Sequence, residues 1–241
     1  MSAAPALYLS GHATIDGTTI FGPLSLEVPA GKWTCLLGPS GVGKSTILRL
    51  LAGLGNEVAF EGEVAADDGA PLEERVALMA QSDLLMPWLD VAANVTLGAR
   101  LRGDTPQPDR AREVLERVGL ATHAAKRPHA LSGGQRQRAA LARTLMEDRP
   151  VVLLDEPFSA LDAKSRALMQ DLAAELLADR TVLHVTHDAA EVARLGHTIL
   201  LMTRHGITSV TPPEAPMPRL YDAPETLAFQ GHLLRLLMNP R

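Results

Sequence analysis

Trp33-Thr34-Cys35-Leu36-Leu37 runs directly into Gly38-Pro39-Ser40-Gly41-Val42-Gly43-Lys44-Ser45-Thr46, and the apolar residues Ile47, Leu48, Leu51 and Leu54 follow at helical spacing. A strand, a glycine-rich loop and a helix in that order are the context in which this spacing makes a phosphate loop. Gly38, Gly41 and Gly43 let the backbone curl so that successive N–H groups point inward at an anion. The helix start adds the positive end of its dipole. Lys44 is expected to reach the β- and γ-phosphates of a nucleotide, and the Ser45 hydroxyl to ligate Mg²⁺. The nine residues Gly38 to Thr46 are therefore read as a nucleotide cradle, with a plain glycine-rich turn as the alternative.

Composition narrows the rest. The chain has 241 residues, 46% of them hydrophobic, which is enough for a real core, and a formal net charge of −5 that argues against a nucleic-acid partner. No stretch approaches the ~18–20 uninterrupted apolar residues of a membrane span. Met1-Ser2-Ala3-Ala4-Pro5 lacks the basic and apolar segments of a signal peptide. One cysteine, Cys35, can form neither an internal disulfide nor a cysteine-based zinc site, and its strand setting reads as a buried thiol. These features predict a soluble, cytosolic chain whose membrane role, if any, is reached through partners.

Along the chain, β-like runs at Leu24–Val28 and Trp33–Leu37 precede the loop, and short strands at Val58–Phe60, Val64 and Val76–Met79 follow the first helix. From Asp83 to about Met146 the pattern reads as helical, broken at Gly103–Pro108. Then come a strand at Val151–Leu154, a helix from Asp162 to about Leu177, a strand at Thr181–Val185, a helix around Ala189–Leu195 and a strand at Ile199–Met202. This alternation predicts an α/β fold with a mainly parallel sheet covered by helices. A Pro-rich stretch from Pro212 to Pro224 precedes a terminal helix at Glu225–Met238; residues 212–241 read as a tail, and the fewer than forty residues after Met202 are not expected to hold a regulatory domain.

Two more segments carry chemistry. Val151-Val152-Leu153-Leu154-Asp155-Glu156 is an apolar strand ending in two acids, costly to bury unless a cation or ligand sits there. Asp155 would hold Mg²⁺ through water and Glu156 would orient or deprotonate an attacking water; capping of the next turn is the simpler alternative. Leu131-Ser132-Gly133-Gly134-Gln135 has serine at a helix N-cap and glutamine three residues on, a capping box lined by bare glycine backbone. Such a start can face a phosphate, yet the chain already has one phosphate loop, so these residues are better explained by a second chain's nucleotide.

With the phosphate loop and this pentapeptide in order, the chain resembles the ATP-binding-cassette ATPases from about Leu24 to Met202. The resemblance implies a P-loop core with an N-terminal antiparallel β subdomain and, at about 82–146, an inserted helical subdomain, all within one cassette domain over 1–241. It also implies two ATP molecules between two chains, identical or paralogous, with the loop of one facing Ser132-Gly133-Gly134-Gln135 of the other. Gln81 matches the glutamine that joins the metal or its water. Ser159-Ala160-Leu161-Asp162 matches a loop that crosses the dimer interface, and Asp162 is read as a nucleotide contact. His187, in Thr186-His187-Asp188, matches a histidine that contacts the γ-phosphate, and so joins Lys44 and Glu156 as a catalytic candidate. Where members carry an aromatic that stacks on adenine, this chain has Ile15; Tyr8 and Phe21 are possible substitutes, although Phe21 aligns with a core position.

Leu84-Leu85-Met86-Pro87-Trp88-Leu89-Asp90-Val91 corresponds to the region that receives a membrane subunit in this family, and equally suits the core of the helical subdomain. Its wording, and Lys126-Arg127-Pro128-His129-Ala130, resemble importer subunits for nitrate, sulfonates, taurine or thiamine precursors. The expected function is an ATP-hydrolysing importer subunit on the cytoplasmic side of the inner membrane. Its expected partners are integral permease subunits and, indirectly, a periplasmic or extracellular substrate-binding protein. A cassette acting on envelope lipoproteins, nucleic acid or the ribosome is the alternative.

Overall fold

The computed structural model describes residues 4–239, and their packing divides into two units. The first comprises residues up to 78, 149–155 and from 178 onward; the second comprises 79–148 and 156–177.

The first unit holds two sheets. Strands β1 (Leu7–Ile15), β2 (Thr18–Val28) and β4 (Ala59–Ala66) form an antiparallel sheet in the order β2-β1-β4. Its register pairs Leu7 with Val28 and Leu9 with Leu26, so alternate residues share one buried face, as a half-covered sheet requires. The second sheet contains β3 (Trp33–Leu37), β5 (Val76–Met79), β6 (Val151–Asp155), β7 (Thr181–Thr186), β8 (Thr198–Thr203) and β9 (Gly206–Val210), in the order β5-β6-β7-β3-β8-β9. Strands β6, β7, β3 and β8 are parallel neighbours; β9 returns antiparallel on the edge through a hairpin. Every residue of β3, β6 and β7 is buried, which explains why these segments read as continuous apolar runs.

One core joins both sheets to helix α1 (Lys44–Leu51): Leu7, Leu9, Leu26 and Val28 pack with Leu36, Leu153, Leu183 and Val185 around Ile47, Leu48 and Leu51. On β3 and β7 also rests α7 (Ala189–Leu195), which packs against the terminal helix α8 (Pro224–Met238). The Pro-rich stretch is tied down by Arg219, 4% exposed, which donates to the carbonyls of Ala193, Gly196 and Pro213.

The second unit is helical: α2 (Val91–Val95), α3 (Leu97–Arg102), α4 (Pro108–Arg117), α5 (Gly133–Met146) and α6 (Ala163–Leu176). Helix does not begin at Asp83 as the pattern suggested. Residues 83–90 form a loop, with Leu84 at φ 47°, and α2 starts only where Asp90 accepts from the Ala93 N–H at 2.8 Å. The loop's backbone is satisfied by side chains instead of a helix ladder. Asn94, fully buried, accepts from the Met86 N–H and donates to the carbonyls of Met86, Leu89 and Asp90. Arg143 of α5 donates to those of Asp83 and Leu84.

Candidate functional site

The phosphate loop leaves the C-terminal end of β3, between β7 and β8, the edge at which open α/β sheets place their ligands. Its glycines have separate reasons. A side chain at Gly38 would overlap the Met202 carbonyl of β8. Gly41 and Gly43 have φ 81° and 100°, and a Cβ on Gly43 would stand 3.0 Å from both Ile20 and Phe21 of β2. Gly43 is the N-cap of α1, whose first turn carries no acid. Lys44, 5% exposed, donates from Nζ to the carbonyls of Gly38 and Pro39, each at 2.8 Å, so a positive charge is held against the loop backbone. Ser45 is exposed in the same turn. A glycine cradle, an ammonium, a free helix start and an exposed hydroxyl make a donor set that fits a nucleotide polyphosphate with its cation.

The two neighbouring strands bring further residues to this edge. Asp155 ends β6, 7% exposed, and pairs in register with Val185; Thr186, beside Leu37, ends β7 and leads to the exposed His187. The structure therefore gathers the phosphate loop, Asp155 and His187 at the ends of three adjacent parallel strands. Ile15 lies elsewhere, half-buried at the tip of the β1–β2 hairpin opposite Thr18. Phe21 is 6% exposed within the core and is not available to stack on a base, whereas Tyr8 is 41% exposed.

In the helical unit, Gln81 donates to the Glu156 carboxylate at 3.3 Å. Glu156 has φ 48°, a left-handed conformation rare outside glycine. A residue that sequence reasoning passed over holds this turn. Gln137, 7% exposed on α5, donates to the Glu156 carbonyl at 3.0 Å and to Ser159 Oγ at 3.1 Å, and its Oε1 accepts from the Ala160 N–H at 2.7 Å. The signal was a polar residue spaced with Ala140, Leu141 and Thr144 on the buried face of α5.

The capping box exists as read. Ser132 Oγ accepts from the Gln135 N–H at 3.2 Å, and Gln135 Oε1 accepts from the Ser132 N–H at 2.9 Å. Gly133 is exposed, and a Cβ on it would meet only Arg136 Nη2, at 3.9 Å. A Cβ on Gly134 would press on the Ala160 carbonyl at 3.2 Å and Leu161 at 3.3 Å, so this glycine lets the helix start approach that loop. Asp162 is the N-cap of α6; the N–H of Ser165 it accepts holds its carboxyl below the ordinary range. Leu84 and Trp88 are 56% and 67% exposed, which settles them as surface rather than core.

The ABC transporter family profile matches residues 21–159. An uncharacterized ABC transporter ATP-binding protein of Haemophilus influenzae is 43% identical over 229 residues, 92% of this chain and 94% of that protein. The aliphatic sulfonates import ATP-binding protein SsuB 1 of Rhodococcus jostii is 48% identical, over 82% of this chain and 78% of its own length. The SsuB protein of Escherichia coli is 39% identical over 91% of this chain and 85% of its own. Among solved structures, the dimeric structure of a bacterial ABC transporter cassette is 27% identical and superposes with a TM-score of 0.76, covering 87% of this chain and all of that one.

Proposed function

The chain belongs to the ABC transporter family, among its ATP-binding ATPases, and on that premise we propose that it is the energy-coupling subunit of an importer. The observation that carries the reading is the shared strand edge on which the phosphate loop, Asp155 and His187 meet. ATP is the substrate, held at its phosphates by Gly38 to Thr46. Ser45, Gln81 and Asp155 are the oxygen donors that would hold Mg²⁺, a cation whose chemistry there is to offset charge on the transferred phosphoryl group. Lys44 stabilises the same charge, Glu156 orients or deprotonates the attacking water, and His187 contacts the γ-phosphate. Ser132, Gly133, Gly134 and Gln135 serve the nucleotide of a partner copy, with Asp162 near that interface, so two chains share two ATP. The dimeric cassette among the structural relatives supports this arrangement. Ile15 gives the base an aliphatic contact in place of a stacked ring.

Exposed Leu84 and Trp88 suit docking onto a permease at the cytoplasmic face of the inner membrane, and the described residues contain no helix long and apolar enough to cross it. A substrate-binding protein outside the membrane would deliver the cargo. The importer names of relatives 39–48% identical support import over the alternatives.

The test uses purified chain with Mg-ATP. Glu156→Gln is expected to bind ATP, lose turnover and accumulate as an ATP-dependent dimer on size exclusion. Lys44→Ala and Ser132→Arg are each expected to be inactive alone and to regain partial activity when mixed, because a heterodimer keeps one intact site. Full activity of Ser132→Arg alone removes the shared-site reading.

A further inference from the structure

Beneath the turn that presents His187 lies a buried acid to which the mechanism above gives no task. Glu191 of α7 is 3% exposed, a carboxylate that a protein interior tolerates only with partners. Its Oε2 accepts from Thr186 Oγ1 at 2.9 Å and lies 3.2 Å from Nε2 of His184, a fully buried residue of β7. The Thr186 hydroxyl works in both directions, because it also accepts from the Asp188 N–H at 3.0 Å. Asp188 in turn accepts from the Ala190 N–H at 2.8 Å. His187 is the exposed residue between these anchored neighbours. Behind the chain of contacts, the His184 ring meets Trp33 edge-on at 6.1 Å between centroids, and its Nδ1 is 3.9 Å from Cys35 Sγ. Burial pushes the Cys35 thiol far up from its ordinary value, so it stays neutral beside the imidazole.

Packing alone does not call for this arrangement. Well-packed apolar side chains of similar volume often serve a core as well as a buried ion pair or better. What the polar version adds is direction: His184 packs between β3 and the Glu191 carboxylate, and hydrogen bonds then run from Glu191 through the Thr186 hydroxyl to the backbone N–H of Asp188, next to His187. We propose that Glu191, braced by His184 and acting through the Thr186 hydroxyl, is a positioning residue that sets His187 for ATP hydrolysis. The inference rests on the reading that this chain hydrolyses ATP through His187.

The experiment is a set of single and double variants of the full chain, with kcat and KM for Mg-ATP and a thermal melt for each. Thr186→Val replaces a hydroxyl by a methyl with little change of volume; it is expected to lower kcat about tenfold and leave KM within about twofold, a loss of the kind a misplaced group produces. Glu191→Leu is expected to match it. Glu191→Gln, which still accepts from Thr186, should keep at least about a third of the original kcat. On a His187→Ala background, Thr186→Val should cost nothing further, since there is no imidazole left to place. Should Glu191→Leu not fold, Thr186→Val and its double variant decide alone. Unchanged kcat in Thr186→Val, or an equal loss with and without His187, overturns the inference while leaving the ATPase reading intact. Absence of hydrolysis by the unaltered chain overturns both.

Discussion

Replacing Gln137 by leucine removes three polar contacts of the Glu156–Ala160 turn while keeping most of the buried volume. Two donations, to the Glu156 carbonyl and to Ser159 Oγ, and one acceptance, from the Ala160 N–H, disappear together. The Glu156 carbonyl retains the Ser159 hydroxyl at 3.0 Å, and Ala160 is exposed enough to recruit water. At about 1 kcal/mol net for each bond, the loss of stability is about 2–3 kcal/mol. That exceeds the ~1–2 kcal/mol it costs a residue such as Glu156 to remain left-handed, so the clamp holds the strain, and relaxation of the turn would return part of the loss and leave a net of about 1 kcal/mol. Once the clamp goes the turn relaxes and the carboxylate leaves its place beside Gln81. The expected result is a kcat at least about tenfold lower with KM within about twofold, measured beside a urea unfolding curve. Gln137→Glu keeps the Ala160 bond but sets a buried carboxylate oxygen against the Glu156 carbonyl, and should lose at least as much stability and a similar share of kcat. A variant destabilised by this amount yet turning over normally refutes the positioning argument; one with unchanged stability refutes the bond accounting.

Gly43→Ala places a Cβ against Ile20 and Phe21 at φ 100°, and should lose about 2–3 kcal/mol of stability and at least tenfold in ATP affinity. Gly53→Ala, at φ 69° in open space, should lose about 1 kcal/mol and no affinity; equal affinity losses in a nucleotide titration would contradict the close-approach argument. The Trp33 backbone N–H donates to His197 Nδ1 at 3.2 Å, a bond an imidazolium cannot accept. Burial, then the charges of Lys32 and Arg219, hold this imidazole below its ordinary 6.5. Because the unfolded chain then takes the proton more readily, the stabilisation is complete above that pH and is lost as pH falls through it toward the folded value. The melting temperature should drop as pH falls below about 6.5, and His197→Asn should flatten that drop; identical slopes would exclude His197 as the cause.

Fold class was legible because the central strands are continuous apolar runs and the loop between β3 and α1 sits in the strand–loop–helix order that a phosphate cradle needs. The edges were harder. Neither β1, with Gly11 at φ 150° and a register shift near Ala13, nor the short polar β9 announces itself by alternation. Residues 83–90 imitate a helix because Leu84, Leu85 and Leu89 fall at helical spacing, while the loop's order comes from Asn94 and Arg143, which a local pattern does not connect to it. The same holds at the site. Lys44, Asp155 and the Ser132 cap lie within motifs of contiguous residues, but Gln137 and Glu191 act through contacts whose meaning appears only once the turns they grip are folded.

The order of strands also has a consequence for how the protein comes into being. Strand β3 and its loop leave the ribosome well before both sheet neighbours of β3, which come from residues 181–186 and 198–203. Until those emerge, Trp33 to Leu37 is an apolar strand with no ladder to join, and Gly38 has no Met202 carbonyl to close against. Such long-range pairing is slow and leaves an aggregation-prone edge in the nascent chain. A strand made early is thus completed only by strands made much later, and its edges stay unpaired in the interval.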